Sequence, residues 1–115
     1  MKLVKYMASL MLVTLPSLSL AGSYQGQITS VFAYGGKVFL KVENGTWDDS
    51  NTCTGRNNRL DVWLDPATDF GKALLSIALV AKTTDKQVWV VGNARCSDEG
   101  PLGRTEQLIG MDLKG

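Results

Sequence analysis

The chain has 115 residues, with twelve lysines and arginines against eleven aspartates and glutamates and a formal charge of +1. That length fits one domain, and the near-balance of charge excludes the basic footprint of a nucleic-acid binder. There is no histidine and there are only two cysteines, so histidine-based acid–base or nucleophilic sites, most zinc sites and four-cysteine clusters are excluded too; no catalytic residue, cofactor or metal site is expected.

The first 21 residues read as a secretory leader. Lys2 and Lys5 form a positive start, residues 6–15 are apolar, Pro16 breaks the run, and Ser19 and Ala21 place small residues at −3 and −1. Cleavage is expected after Ala21. A membrane anchor is the competing reading, but a spanning helix needs about 20 apolar residues, and no other stretch is apolar enough to span a bilayer. Cleavage removes Lys2 and Lys5, leaving ten basic against eleven acidic side chains in residues 22–115 and a charge of −1. A single exported domain over 22–115, secreted or periplasmic, is the expectation.

Residues 25–34 are rich in β-branched and aromatic side chains, and Gly35-Gly36 signals a hairpin. Residues 37–43 alternate, with Val38, Leu40 and Val42 on one face and Lys37, Phe39, Lys41 and Glu43 on the other. Residues 44–58 are turn formers and read as a polar loop. Residues 60–64 alternate again, Leu60, Val62 and Leu64 inward and Asp61 and Trp63 outward. A helix follows, with Asp65 as its cap and Pro66 at its first position. Phe70, Ala73, Leu74, Ile77, Ala78 and Ala81 share one face at helical spacing. Two more strands are expected over 87–92, with Trp89 in the core, and over 105–113, separated by a turn-rich stretch at 97–103.

The order β-β-β-α-β-β predicts a mainly β fold with one helix, a small five-stranded barrel of the OB type; an α+β sandwich of the same elements is the alternative. Cys53 and Cys96 are expected to form one disulfide in an oxidising compartment. Leu75, Leu79 and Val80 give the helix a second apolar edge. Two readings stand for that edge: a sticky surface helix, or a helix covered by a second chain.

Residues 70–91, an apolar helix, a short polar turn and a V-x-V strand, together with the final strand over 106–113, resemble the C-terminal half of the B subunits of AB5 toxins, especially the pertussis-like and subtilase-cytotoxin-like groups. The same segment is similar to that of other small exported bacterial proteins. The resemblance implies a disulfide-bonded OB-fold, a homo-oligomer, a pentamer in those toxins, with the helices lining its core, and a host glycan as ligand. The chain departs from many of those subunits in having one disulfide where they have two, and no glycan-contacting motif transfers residue by residue. Another exported protein, docking on the apolar helix, is the alternative partner.

Trp63 beside Asp61 is the first candidate ligand site, since a flat apolar ring and a carboxylate suit a sugar's C–H face and hydroxyls; packing of Trp63 under another element is the alternative. Trp47 with Asp48 and Asp49, in the polar loop, is the second, and there the alternative is a tryptophan folded back as a plug. Asp48-Asp49 lacks the oxygen spacing of a calcium loop.

Overall fold

The computed structural model describes residues 22–98 and 100–114; the leader expected over 1–21 lies outside them. Alternation builds the walls. Strand β1 (Ser23–Tyr34) turns through Gly35 and Gly36, both at positive φ, into the antiparallel β2 (Lys37–Asp49), a turn whose twist matches that of the strands. β2 pairs antiparallel with β3 (Arg59–Leu64), from Val38 opposite Leu64 to Glu43 opposite Arg59. β4 (Gln87–Ser97) runs antiparallel to both β1 and β5 (Thr105–Leu113). A short parallel pairing of β3 and β5, Val62 opposite Glu106 and Trp63 opposite Gln107, closes the ring in the order β1-β2-β3-β5-β4. The fold is therefore a five-stranded OB-like barrel with one helix between the third and fourth strands, and the open sandwich is set aside.

Val38, Leu40, Val42, Leu60, Val62, Leu64, Val88, Val90 and Leu108 fill the interior. Phe39 points outward, as its position in the alternation requires, yet is buried. It stacks on Phe32 with ring centroids 5.5 Å apart, and Gly100 lies against it so closely that a Cβ there would fall 2.5 Å from its ring.

The helix, α1 (Asp69–Thr84), contacts β1, β5 and β3. Its start differs from expectation. Thr68, not Asp65, is the cap: its hydroxyl accepts the Gly71 N–H at 2.9 Å, while the Asp65 carboxylate closes a preceding turn by accepting the Ala67 N–H at 2.9 Å. The buried face is rotated as well. Gly71, Leu74, Ala78 and Ala81 face the barrel, Phe70 is 55% exposed, Ala73 is exposed and Ile77 is half-buried. The reason is steric. A Cβ on Gly71 would fall 1.7 Å from the Asp65 carbonyl oxygen, and small residues let the helix backbone approach the barrel where Phe70 would hold it off. Among the described residues no helix is long and apolar enough to cross a membrane.

Two strands exceed the lengths expected of them. β2 continues to Asp49 past a bulge in which Asn44 takes φ 60° and a Cβ on Gly45 would lie 1.8 Å from the Gln25 carbonyl oxygen. Trp47, Asp48 and Asp49 are thus strand residues rather than loop residues. β4 continues to Ser97 past a second bulge between Gly92 and Cys96. Trp89, expected in the core, sits on the outer face of β4, half-buried, between the inward Val88 and Val90.

The disulfide joins Cys53 of the β2–β3 loop to Cys96 of β4, with Cα atoms 5.8 Å apart at a sequence separation of 43. Closing a loop of that size in the unfolded chain stabilises the fold by about 4 kcal/mol in the chain-entropy model. Replacing both cysteines by serine is expected to lower unfolding free energy by about that amount in a urea titration; an unchanged midpoint contradicts this role.

Candidate ligand-binding cleft

The pair expected at Trp63 and Asp61 is not exposed as a pair. Asp61 points outward from β3 but has no exposed surface, because the β2–β3 loop folds back over it. Arg59, on the same face two residues earlier, places Nε 3.0 Å from both carboxylate oxygens and donates to Oδ2. Arg56 Nε lies 3.2 Å from Oδ2. Arg56 also donates to the carbonyls of Leu102 at 2.6 Å and Arg104 at 3.1 Å, so one guanidinium ties the β4–β5 loop to Asp61. The carboxylate is engaged in holding two loops together and does not face a ligand. Trp63 is half-buried, with the Lys37 ammonium 4.1 Å from its ring centroid and its indole N–H buried without a hydrogen-bond partner.

Burial pushes the Asp61 carboxyl above its ordinary value of 3.8, against the opposing pull of Arg59, Arg56 and Lys41. Desolvation of a buried pair thus exceeds what its partners return, a balance in which removing one partner still does harm, since it strands the others.

Trp47 has a different setting. Its ring meets Tyr24 edge-on, centroids 4.9 Å apart, and its indole N–H donates to the Asn57 carbonyl at 2.9 Å. The Tyr24 hydroxyl donates to the Asn58 carbonyl at 3.3 Å and accepts the Gly45 N–H at 2.9 Å. These bonds pin the far end of the β2–β3 loop against the β2 bulge. Between them lies a cleft of about 370 Å³ lined by Tyr24, Glu43, Asn44, Gly45, Trp47, Asn57 and Asn58, at the small end of ligand-pocket sizes. The side-chain amides of Asn44, Asn57 and Asn58, all exposed, form no hydrogen bond within the described residues. Glu43 is half-buried, with one carboxylate oxygen taken by the Thr29 hydroxyl at 2.5 Å.

Asp48 and Asp49 are exposed but stand outside the cleft lining. Asp48 accepts from the Ser23 hydroxyl at 3.1 Å and from the Trp89 indole at 3.3 Å, and Asp49 accepts the Asn51 N–H at 3.0 Å. Of the expected ligand residues, then, only Trp47 lies in the cleft. Tyr24, Glu43, Asn44, Asn57 and Asn58 are not among the ligand residues expected from the sequence; the local signal for them is two asparagine-bearing turns flanking Trp47, at Asn44-Gly45 and Asn57-Asn58. Among the described residues no cluster of three or more His, Cys, Asp or Glu is placed to hold a metal ion.

The helix edge is partly as expected. Leu79 and Val80 are 45% and 46% exposed, while Leu75 packs half-buried against the core. Comparison with known protein families, curated proteins and solved structures finds no match to this chain.

Asp61→Ala is expected to cost about 3 kcal/mol in unfolding free energy, because two partly buried guanidiniums lose their counter-ion. The folded chain holds the Asp61 proton more tightly than the unfolded chain does. The proton-linked part of this group's stability is therefore fully present below 3.8 and is lost as pH rises through its raised folded-state value, separately from the ion pairs that Asp61→Ala breaks. Denaturant titrations across the acid range should show that fall in the wild type and not in Asp61→Asn.

Proposed function

We propose that this protein is an exported, non-enzymatic binding module that recognises a carbohydrate in the Tyr24–Trp47 cleft. The observation that carries the reading is the composition of that cleft. One half-buried ring, Trp47, backed edge-on by the buried Tyr24, stands beside three side-chain amides without partners among the described residues and one carboxylate. Aromatic faces suit the apolar face of a sugar ring, and amides and a carboxylate suit its hydroxyls, each of which both donates and accepts. The rings are held in place before any ligand arrives, by the bonds from Trp47 to Asn57 and from Tyr24 to Asn58 and Gly45, which lowers the ordering cost of binding. Glu43 is the single carboxylate of the cleft and is held by Thr29, so the second acid of a glycosidase pair has no candidate in the lining.

Export is supported by the leader pattern over 1–21 and by the Cys53–Cys96 disulfide, a bond that persists in oxidising compartments. The resemblance to toxin B subunits adds a host glycan as ligand and a ring of copies as the assembled state.

A second reading is favoured by the helix. Phe70, Leu79 and Val80 are 55%, 45% and 46% exposed on α1, and exposed apolar surface of this kind marks contact with another chain. That chain is a further copy in the first reading and a different exported protein in the second.

A glycan array probed with the oxidised protein tests the main proposal. Trp47→Ala is expected to lose about 2 kcal/mol of binding, near thirtyfold, to whichever glycans the wild type retains. A folded wild type that binds no glycan, or a variant that binds as well as wild type, refutes it. Light scattering separates the two helix readings: a homo-oligomer that Leu79→Lys reduces to folded monomers supports the first, and a wild type that stays monomeric at high concentration supports the second.

A further inference from the structure

Glu106 is a fully buried carboxylate at the end of β5. Its Oε1 accepts the backbone N–H groups of Ala94 at 2.9 Å and Gly22 at 3.4 Å, and its Oε2 accepts the Thr52 hydroxyl at 2.5 Å. All of these donors are neutral as the full-length chain presents them. The ion pairs among the described residues engage Asp61, Asp98 and Asp112 and leave Glu106 out. Hydrogen bonds satisfy the oxygens, but a buried negative charge without a counter-ion remains costly.

Gly22 is the residue that follows the expected cleavage point. It is buried and held from the other side, its carbonyl accepting the Gly92 N–H at 2.9 Å. A Cβ at this position would lie 2.9 Å from Thr52 Cβ and 3.3 Å from Glu106 Oε2, so glycine is what allows its backbone nitrogen to approach the carboxylate. Inside an uncut chain that nitrogen is an amide with one hydrogen and no charge. At the start of a cut chain it is an α-amino group, ordinarily protonated below about 7.7–8.0.

We propose that cleavage after Ala21 creates the counter-ion of Glu106, the α-ammonium of Gly22, and so completes a buried ion pair that the precursor lacks. The step is hydrolysis by an export-associated peptidase: water adds across the Ala21–Gly22 peptide bond, Ala21 leaves with the carboxylate, and Gly22 keeps the nitrogen and takes up a proton. This rests on the export reading above and is independent of the cleft. Oxidation converges on the same place. Cys96 lies opposite Glu106 in the β4–β5 ladder, and Thr52, which binds Oε2, precedes Cys53. Two events of an exported chain, disulfide formation and leader removal, thus both tighten the Glu106 end of the barrel, and the precursor is the less stable form.

The charged and polar groups around the Gly22 nitrogen are few. Glu106 faces it from β5 and Thr52 from the β2–β3 loop. β2 brings Asp48, bound to the Ser23 hydroxyl, and Asp49, opposite Ser23; β4 brings the Gly92 N–H, with Arg95 exposed to solvent. Among the described residues the carboxylates of Glu106, Asp48 and Asp49 favour the ammonium form, and Arg95, turned to solvent, opposes it.

The test uses the protein exported and processed by its host. N-terminal sequencing establishes the first residue, and amine-selective labelling across pH, read by mass spectrometry at Gly22, measures the α-amino pKa. The expected result is a start at Gly22 and a pKa at least about one unit above the ordinary value, a tenfold smaller share of free amine at a given pH. The processed protein should also melt several degrees above a form carrying one extra alanine before Gly22. That gap should be present at neutral pH, vanish as pH rises through the raised α-amino value, and be absent when both forms carry Glu106→Gln. A start other than Gly22 overturns the cleavage point and the ion pair together. A start at Gly22 with an ordinary α-amino pKa overturns the ion pair alone and leaves export standing.

Discussion

The closure of the barrel depends on a carboxylate buried where β4 and β5 fall out of register. Between Gly92 and Cys96 the ladder skips residues, and the extra chain has to go somewhere. Glu106 absorbs it. Its side chain lies across Gly92, where a Cβ would sit 2.3 Å from Oε1, and it takes the N–H of Ala94, whose φ of 71° is rarely adopted by residues other than glycine. Asn93 completes the bulge, accepting the N–H groups of Arg95 and Gln107. The same Glu106 stands opposite Val62 in the parallel pairing that closes the ring. One acidic side chain therefore sets the bend of β4 and occupies the junction of β3 and β5.

A second buried carboxylate, Asp61, occupies the neighbouring position of β3 and points to the opposite face. Together the two organise the long β2–β3 connection, which has no regular structure of its own. Thr52 binds Glu106, Cys53 is bonded to Cys96, Arg56 pairs with Asp61, and the carbonyls of Asn57 and Asn58 receive Trp47 and Tyr24. A segment of turn formers is thereby fixed by side chains, with contacts far apart in sequence. The rim of the cleft is the last part of that segment, so its geometry derives from the barrel end as a whole.

The polar groups of this end of the barrel therefore fall into two sets. Asp61 and Glu106 are buried and hold loops, while the cleft presents three side-chain amides, the half-buried Trp47 ring and one carboxylate, Glu43. The helix offers different chemistry on another part of the molecule, with Phe70, Leu79 and Val80 left exposed while Gly71, Leu74, Ala78 and Ala81 face the barrel. The cleft lining and these exposed helix residues do not overlap.

Alternation at Val38–Leu40–Val42 and Leu60–Val62–Leu64, the glycine pair at 35–36 and the order of elements were enough to specify the fold class, since each reflects a local period of the backbone. The disulfide followed from two cysteines with no other possible partner. The sites were less legible. α1 is apolar nearly all round, so its period could not reveal that glycine and alanine would be chosen for the close approach. Trp63 and Asp61 alternate outward as read, yet the β2–β3 loop folds back over the carboxylate and Arg56 ties the β4–β5 loop to it. Tyr24 and Asn58 are 34 positions apart, and no local pattern relates them. The sequence by itself determined which residues of β2 and β3 face in and which face out, though not on β4, where apolar residues on both faces hid the outward Trp89; the tertiary structure decided which outward residues meet water, because that depends on where long-range hydrogen bonds and ion pairs fold the loops back.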